Sequence, residues 1–396
     1  MKIARPRLSF LFFLVFPVLF SILLMTGCGQ GTMTSNPKPM PGPTPPPAVT
    51  NPNNFVYVTV NDTSTIAGLK IDPSGNVSAI AGSPFPAPEG PVGLARTQDF
   101  VFVGSAGLLP LTVDKSVITT FRLDQTTGAI TQVAVTHSLF PYNLAVDPSG
   151  RFLYSNGVAV FSIGTNGQLT ALPGSPFGGA SSLDDMQGRL VFHSSGKFLY
   201  SNGWSSGHNS SPSAIFASVD PASGVPSNGQ MLGPLTLNLA ITSSGKFMVA
   251  ADWEAGVQNG ICTYTLDPVT GAPSGAVLGG QPVTPVVCAG AGEFVMDLAV
   301  NPGDSFVATA GNSGVSMFRL SNGSLSPAAG SPFAASSSLS LLNFSRDGMY
   351  LFAAGPVNPG PPGEVTIFRV DAANGTLIPA PGSPFALNGQ PFRVLP

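Results

Sequence analysis

Charge is what this chain has least of. Asp, Glu, Lys and Arg together make up 9% of its 396 residues, against about 25% in an average globular protein. From residue 55 onward, 12 Lys and Arg face 19 Asp and Glu, so the surface is mostly uncharged and offers no basic footprint for nucleic acid. Histidine occurs three times, as His137, His193 and His208, at no metal-ligand spacing. No cofactor or metal is implied. Tryptophan occurs only as Trp204 and Trp253, and cysteine only as Cys28, Cys262 and Cys288. Beyond residue 54 no stretch carries the apolar period of an amphipathic helix, which excludes a helical solenoid.

What the chain has in abundance is repetition. Gly-Ser-Pro-Phe recurs at Gly82, Gly174, Gly330 and Gly382, and Phe-Leu-Tyr-Ser-Asn-Gly at Phe152 and Phe198. Seven units follow: 55–98, 99–150, 151–196, 197–245, 246–304, 305–348 and 349–396. Periods of about 40 to 50 residues suit four strands per blade of a propeller. A sandwich would not explain seven equivalent units. In the third unit the strands are predicted at 151–155, 158–163, 169–172 and 189–192, separated by turns at Asp147-Pro148-Ser149-Gly150, Thr165-Asn166-Gly167 and Ser194-Ser195-Gly196. The expected fold is all-β, a seven-bladed β-propeller. Unit one lacks an inner strand, and Pro391-Phe392-Arg393-Val394-Leu395 matches Pro141-Tyr142-Asn143-Leu144-Ala145. The C-terminal strand is therefore predicted to pair beside 55–58 and close a monomeric ring without free edges.

The first residues are of another kind. Lys2, Arg5 and Arg7 precede an apolar run over 10–24, and Met25-Thr26-Gly27-Cys28 reads as a lipobox. Fifteen residues containing Pro17 are short for a membrane span of about 20. The expected organisation is a signal peptide over 1–27, a lipidated Cys28 with a Pro-rich linker over 28–54, and the propeller over 55–396. Such a protein would be exported and lipid-anchored in the cell envelope, on the bacterial outer membrane or the outer face of the plasma membrane. In that oxidising setting Cys262 and Cys288 are expected to form a disulfide, the alternative being two buried thiols.

The candidate site is a ring around the central channel. Aligning the units on the residue before the inner Leu-Ala-Val brings together Gly93, Asn143, Arg189, Asn238, Asp297, Leu341 and Arg393. The loops between second and third strands add Trp204, His208, Asp252, Trp253, Glu254 and Glu364. Of these, Arg189, Arg393, Asp297, Asn143, Asn238, Trp204 and Trp253 are the candidate ligand-binding residues. The alternative is that Arg189 and Asp297 pair and plug the pore, since buried charges are normally paired. Calcium on Asn143, Asn238 and Asp297 is disfavoured by the two arginines. Gly203-Trp204-Ser205-Ser206-Gly207 spells G-x-S-x-G but lacks the strand-to-helix turn of a nucleophile elbow.

Over 55–396 the repeats, above all Leu144-Ala145-Val146-Asp147-Pro148-Ser149-Gly150-Arg151-Phe152-Leu153-Tyr154 and Gly-Ser-Pro-Phe, resemble the seven-bladed propellers of the lactonase and YVTN-repeat type. That group includes 6-phosphogluconolactonase and muconate-lactonizing relatives. The resemblance implies an Arg-His pair ahead of Val-Phe-His-Pro and an Asn-Glu after the next strand. Here Gly188-Arg189 stands in place of Arg-His, His193 fills the second His position, and Gly203-Trp204 replaces Asn-Glu. His193 is expected to be structural, and Asp252 or Glu254 would have to act as the base. Two readings remain: a non-catalytic module binding a glycan, a sugar acid or a protein loop, and a hydrolase of a sugar lactone or related sugar acid.

Overall fold

A computed structural model describes residues 55–107, 116–139, 141–177, 188–204, 212–232, 236–252, 260–273, 285–292, 294–312, 314–335, 338–356 and 362–396. Cys28, the linker, His208, Trp253 and Glu254 lie outside the described residues. Seven antiparallel sheets of four main strands form the blades of a propeller. Their innermost strands, from blade two to blade seven, are Pro91–Arg96, Leu144–Val146, Leu190–Phe192, Thr236–Ile241, Asp297–Val300 and Leu341–Phe344. Blade one combines Phe55–Val60, Thr65–Ile71 and Val77–Ala79 with the C-terminal Pro391–Leu395 as its inner strand.

The closing register is Tyr57 with Leu395, Val58 with Val394, Thr59 with Arg393 and Val60 with Pro391. It covers 57–60 where the sequence reading had 55–58, and a bulge at Phe392 separates the last two pairs. The sequence unit is also one strand out of phase with the blade. Leu190–Phe192 pairs with Phe198–Trp204, while blade three takes Leu144–Val146 with Phe152–Ser155, Ala159–Ile163 and Leu169–Ala171.

The second strands are buried on both faces, which is why they read as nearly unbroken apolar runs. In Phe55–Val60 every residue is buried. Val56, Val58 and Val60 enter a core shared with blade seven, and Phe55 and Tyr57 enter one shared with blade two. The period of two along a strand thus serves two interfaces at once. Seven such cores exist, one for each pair of neighbouring blades, and the blade seven to blade one core closes the circle.

A recurrent staple fixes each blade on the next. The aromatic opening the second strand abuts a glycine in the outer turn of the following blade: Phe55 with Gly128, Phe100 with Gly167, Phe152 with Gly224, Phe198 with Gly271, Phe247 with Gly323, Phe306 with Gly375 and Tyr350 with Gly75. At Gly224 the turn runs at φ 75°, and a Cβ there would lie 2.8 Å from the Phe152 ring, so both backbone and space require glycine. Tyr57, Tyr154 and Tyr200 add a buried hydrogen bond each, donating at 2.6 Å to the carbonyls of Gly128, Gly224 and Gly271.

The Gly-Ser-Pro-Phe repeats have a local task. Their serine hydroxyls accept from the third-strand amides of Gly68, Val160 and Met317 at 2.9 Å and of Ile367 at 2.7 Å. All four Ser-Pro bonds are cis. Backbone groups left open on the third strand are satisfied by this serine.

Candidate functional site

The start of each inner strand aims one residue at the channel, and the repeats hold it there. Asn156 and Asn202 are the asparagines of the two Phe-Leu-Tyr-Ser-Asn-Gly copies. The Asn156 side-chain oxygen accepts the Asn143 amide at 2.6 Å, and that of Asn202 accepts the Arg189 amide at 2.9 Å. In blades one, two and five the inner strand instead begins with a β-bulge that turns Arg393, Gly93 and Asn238 into the same position. The register makes Arg393 directly equivalent to Asn143, since Leu395 faces Tyr57 as Ala145 faces Tyr154.

Asp297 is the hub of the ring. Its Oδ1 accepts from Arg189 Nη1 at 2.9 Å, Asn238 Nδ2 at 2.6 Å and the Leu298 amide at 2.8 Å, and its Oδ2 accepts from the Leu342 amide at 2.8 Å. One buried carboxylate thus ties blades four, five, six and seven together. Arg189 Nη1 also donates to the Leu298 carbonyl at 3.1 Å. Across the ring, Arg393 Nη2 donates to Asn143 Oδ1, and its guanidinium lies 5.5 Å from the Phe392 ring centre. Burial lowers the Arg393 pKa to about 10, with Asp297 opposing that shift and Arg189 adding to it.

A cavity of about 670 Å³ lies at the centre of the ring, lined by Arg189, Asn143, Asn238, Asp297 and Arg393 from the starts of the inner strands and by Arg96 and Arg346 from their far ends. Arg189 and Asp297 pair, as one reading of the sequence held. Among the described residues lining the cavity, four arginines face a single carboxylate. A cationic channel in an acidic, charge-poor protein focuses the field on anions.

The remaining candidates fall elsewhere. Leu341 is buried, and Glu364 opens the third strand of blade seven, half-buried. Trp204 and Asp252 are the last residues of Phe198–Trp204 and Phe247–Asp252, so the chain leaves the second strand of adjacent blades at both. His193 is buried, with Nδ1 2.8 Å from Ser195 Oγ and Nε2 3.0 Å from the Gly245 carbonyl, so both ring nitrogens are engaged in structure. Asp297 and Asn143 spend their oxygens on protein donors, and no group of metal-ligating side chains occurs among the described residues. Cys262 and Cys288 face each other on paired strands of blade five and are joined, sulfur to sulfur, at 1.97 Å.

Sequence reasoning missed Asn156, Asn202, Arg96 and Arg346. The first two were visible as the asparagine of a repeated motif. Arg96 was visible as Leu94-Ala95-Arg96, an arginine where the other six units end the motif with an apolar residue.

No family profile matches the sequence, and no curated protein matches it. Solved structures do match. A 6-phosphogluconolactonase candidate from Bacteroides uniformis is 15% identical, with a TM-score of 0.64 over 87% of this chain and 99% of its own. A second such candidate, from Bacteroides fragilis, has 15% identity and a TM-score of 0.64, covering 88% and 99%. The periplasmic gluconolactonase of Pseudomonas aeruginosa has 15% identity and a TM-score of 0.59, covering 86% and 98%. The chain therefore shares the seven-bladed β-propeller fold of these lactonase-like structures.

Proposed function

We propose that this protein is a non-catalytic binding module of the cell envelope, anchored through a lipid on Cys28 and the 28–54 linker, whose channel takes a small anionic ligand of the sugar-acid type. The observation that carries the reading is the state of Asp297. It is the one carboxylate lining the cavity among the described residues, and four donors already occupy its two oxygens. A carboxylate so engaged turns its oxygens to protein donors and not to a substrate, and a general base must reach the proton it takes. Arg189 and Arg393 supply the charge and the planar donors that carboxylates favour. Trp204 and Trp253, at one loop type of adjacent blades, would offer aromatic surface to a sugar ring or a protein loop.

The second reading, a lactone hydrolase with Asp252 or Glu254 activating water, is favoured by the gluconolactonase among the structural neighbours. Assaying the full chain against a panel of sugar lactones separates the two. The binding module leaves hydrolysis at the buffer rate. Turnover that disappears in Asp252→Asn or Glu254→Gln would establish the enzyme.

A further inference from the structure

The far end of the channel carries a second cationic feature that the ring residues do not explain. Arg96 ends its inner strand, at the place where the other blades put Val146, Phe192, Ile241, Val300, Phe344 and, just past its strand, Pro396. A position that is apolar in six blades is a guanidinium in one. Its Nε and Nη1 are buried and have no hydrogen-bond partner. Such groups are costly unless something accepts from them.

Arg346, exposed in the turn after the inner strand of blade seven, lies at the same end. Both arginines line the channel cavity and a second cavity of about 480 Å³ beside it. Their charges are close enough that Arg346 depresses the pKa of Arg96, second to burial in effect.

Neighbouring acids do not neutralise them. Asp147 accepts the amides of Ser149, Arg151 and Phe152 in its own turn, and Asp347 accepts Ser345 Oγ and the Met349 amide. Asp99 lines the second cavity but is exposed. Among the described residues the only ion pair of the channel is Arg189 with Asp297, at the other end.

We propose that Arg96 and Arg346 form an oxyanion site at this far mouth, separate from the Arg189 and Arg393 end, which takes the carboxylate or phosphate of a small ligand. Two like charges held together with unspent donors are what such a group would bridge.

Calorimetric titration of inorganic phosphate into the full chain at constant ionic strength tests this, with acetate in parallel to separate the two ligand types. Arg346→Gln, at an exposed position that leaves the blades intact, should weaken one binding event by about tenfold or more. Arg96→Gln should act on the same event. Arg393→Gln should leave that event unchanged, whether or not the opposite end binds anions at all. A saturable response to neither anion overturns the site, as does an Arg346→Gln variant that binds like the wild type.

Discussion

Arg189 and Asp297 are 108 residues apart and meet at 2.9 Å in the channel, joining blade four to blade six. The same carboxylate accepts from Asn238 and Leu342, so its removal touches four blades. Asp297→Asn puts an amide NH2, itself a donor, where a carboxylate oxygen accepted from protein donors. Removing one partner of a buried pair costs roughly 3 kcal/mol or more, and urea denaturation should show a loss of about that size. Adding Arg189→Gln should restore part of it.

The blade staples give a sharper test of packing. Gly224→Ala meets both a left-handed backbone, at φ 75°, and the Phe152 ring. Gly292 has φ 79° but open space around it. The two alanine variants share a conformational cost of about 1–2 kcal/mol. Gly224→Ala should lose a further 1–3 kcal/mol or so from overpacking, and equal losses would mean the staple is loose.

Ring closure predicts a cooperative failure. Deleting 391–396 strips the inner strand of blade one and uncovers Phe55–Val60 along one edge. The truncated chain should melt far below the intact one and associate through the exposed edge. A melting temperature close to that of the intact chain would mean the strand adds little.

Alkaline pH should separate Arg393 from its surroundings. Its folded-state pKa is depressed to about 10 from the ordinary 12.5. The charged form is thus the less favourable one in the fold, and that cost is fully present below about pH 10. Above it the unfolded chain holds the extra proton, so this residue's contribution to stability rises with pH. Channel binding of an anion should run the opposite way, steady through neutral pH and weakening as pH rises through about 10. The difference between wild type and Arg393→Met, measured by titration at each pH, isolates this group.

Repeat length, turn glycines and the displaced last strand were enough to read the propeller, because each blade repeats the same local chemistry. The ring at the channel was legible for the same reason: alignment on Leu-Ala-Val finds residues that share a position. What remained hidden depends on distances across the ring. No local pattern shows that Asp297 reaches the Leu342 amide or that Arg189 reaches Asp297. Arg96 is less legible because it departs from the pattern inside the repeat motif, whereas the ring residues stand just before it.

As proposed, the channel binds an anionic ligand through its arginines and does no chemistry on it. Calorimetric titration of gluconate, a simple sugar acid, into the full chain tests this most directly. A saturable heat that weakens by about tenfold in Arg393→Gln and falls as salt is raised is the expected result. An isotherm unchanged by Arg393→Gln, or no binding at all, would contradict it.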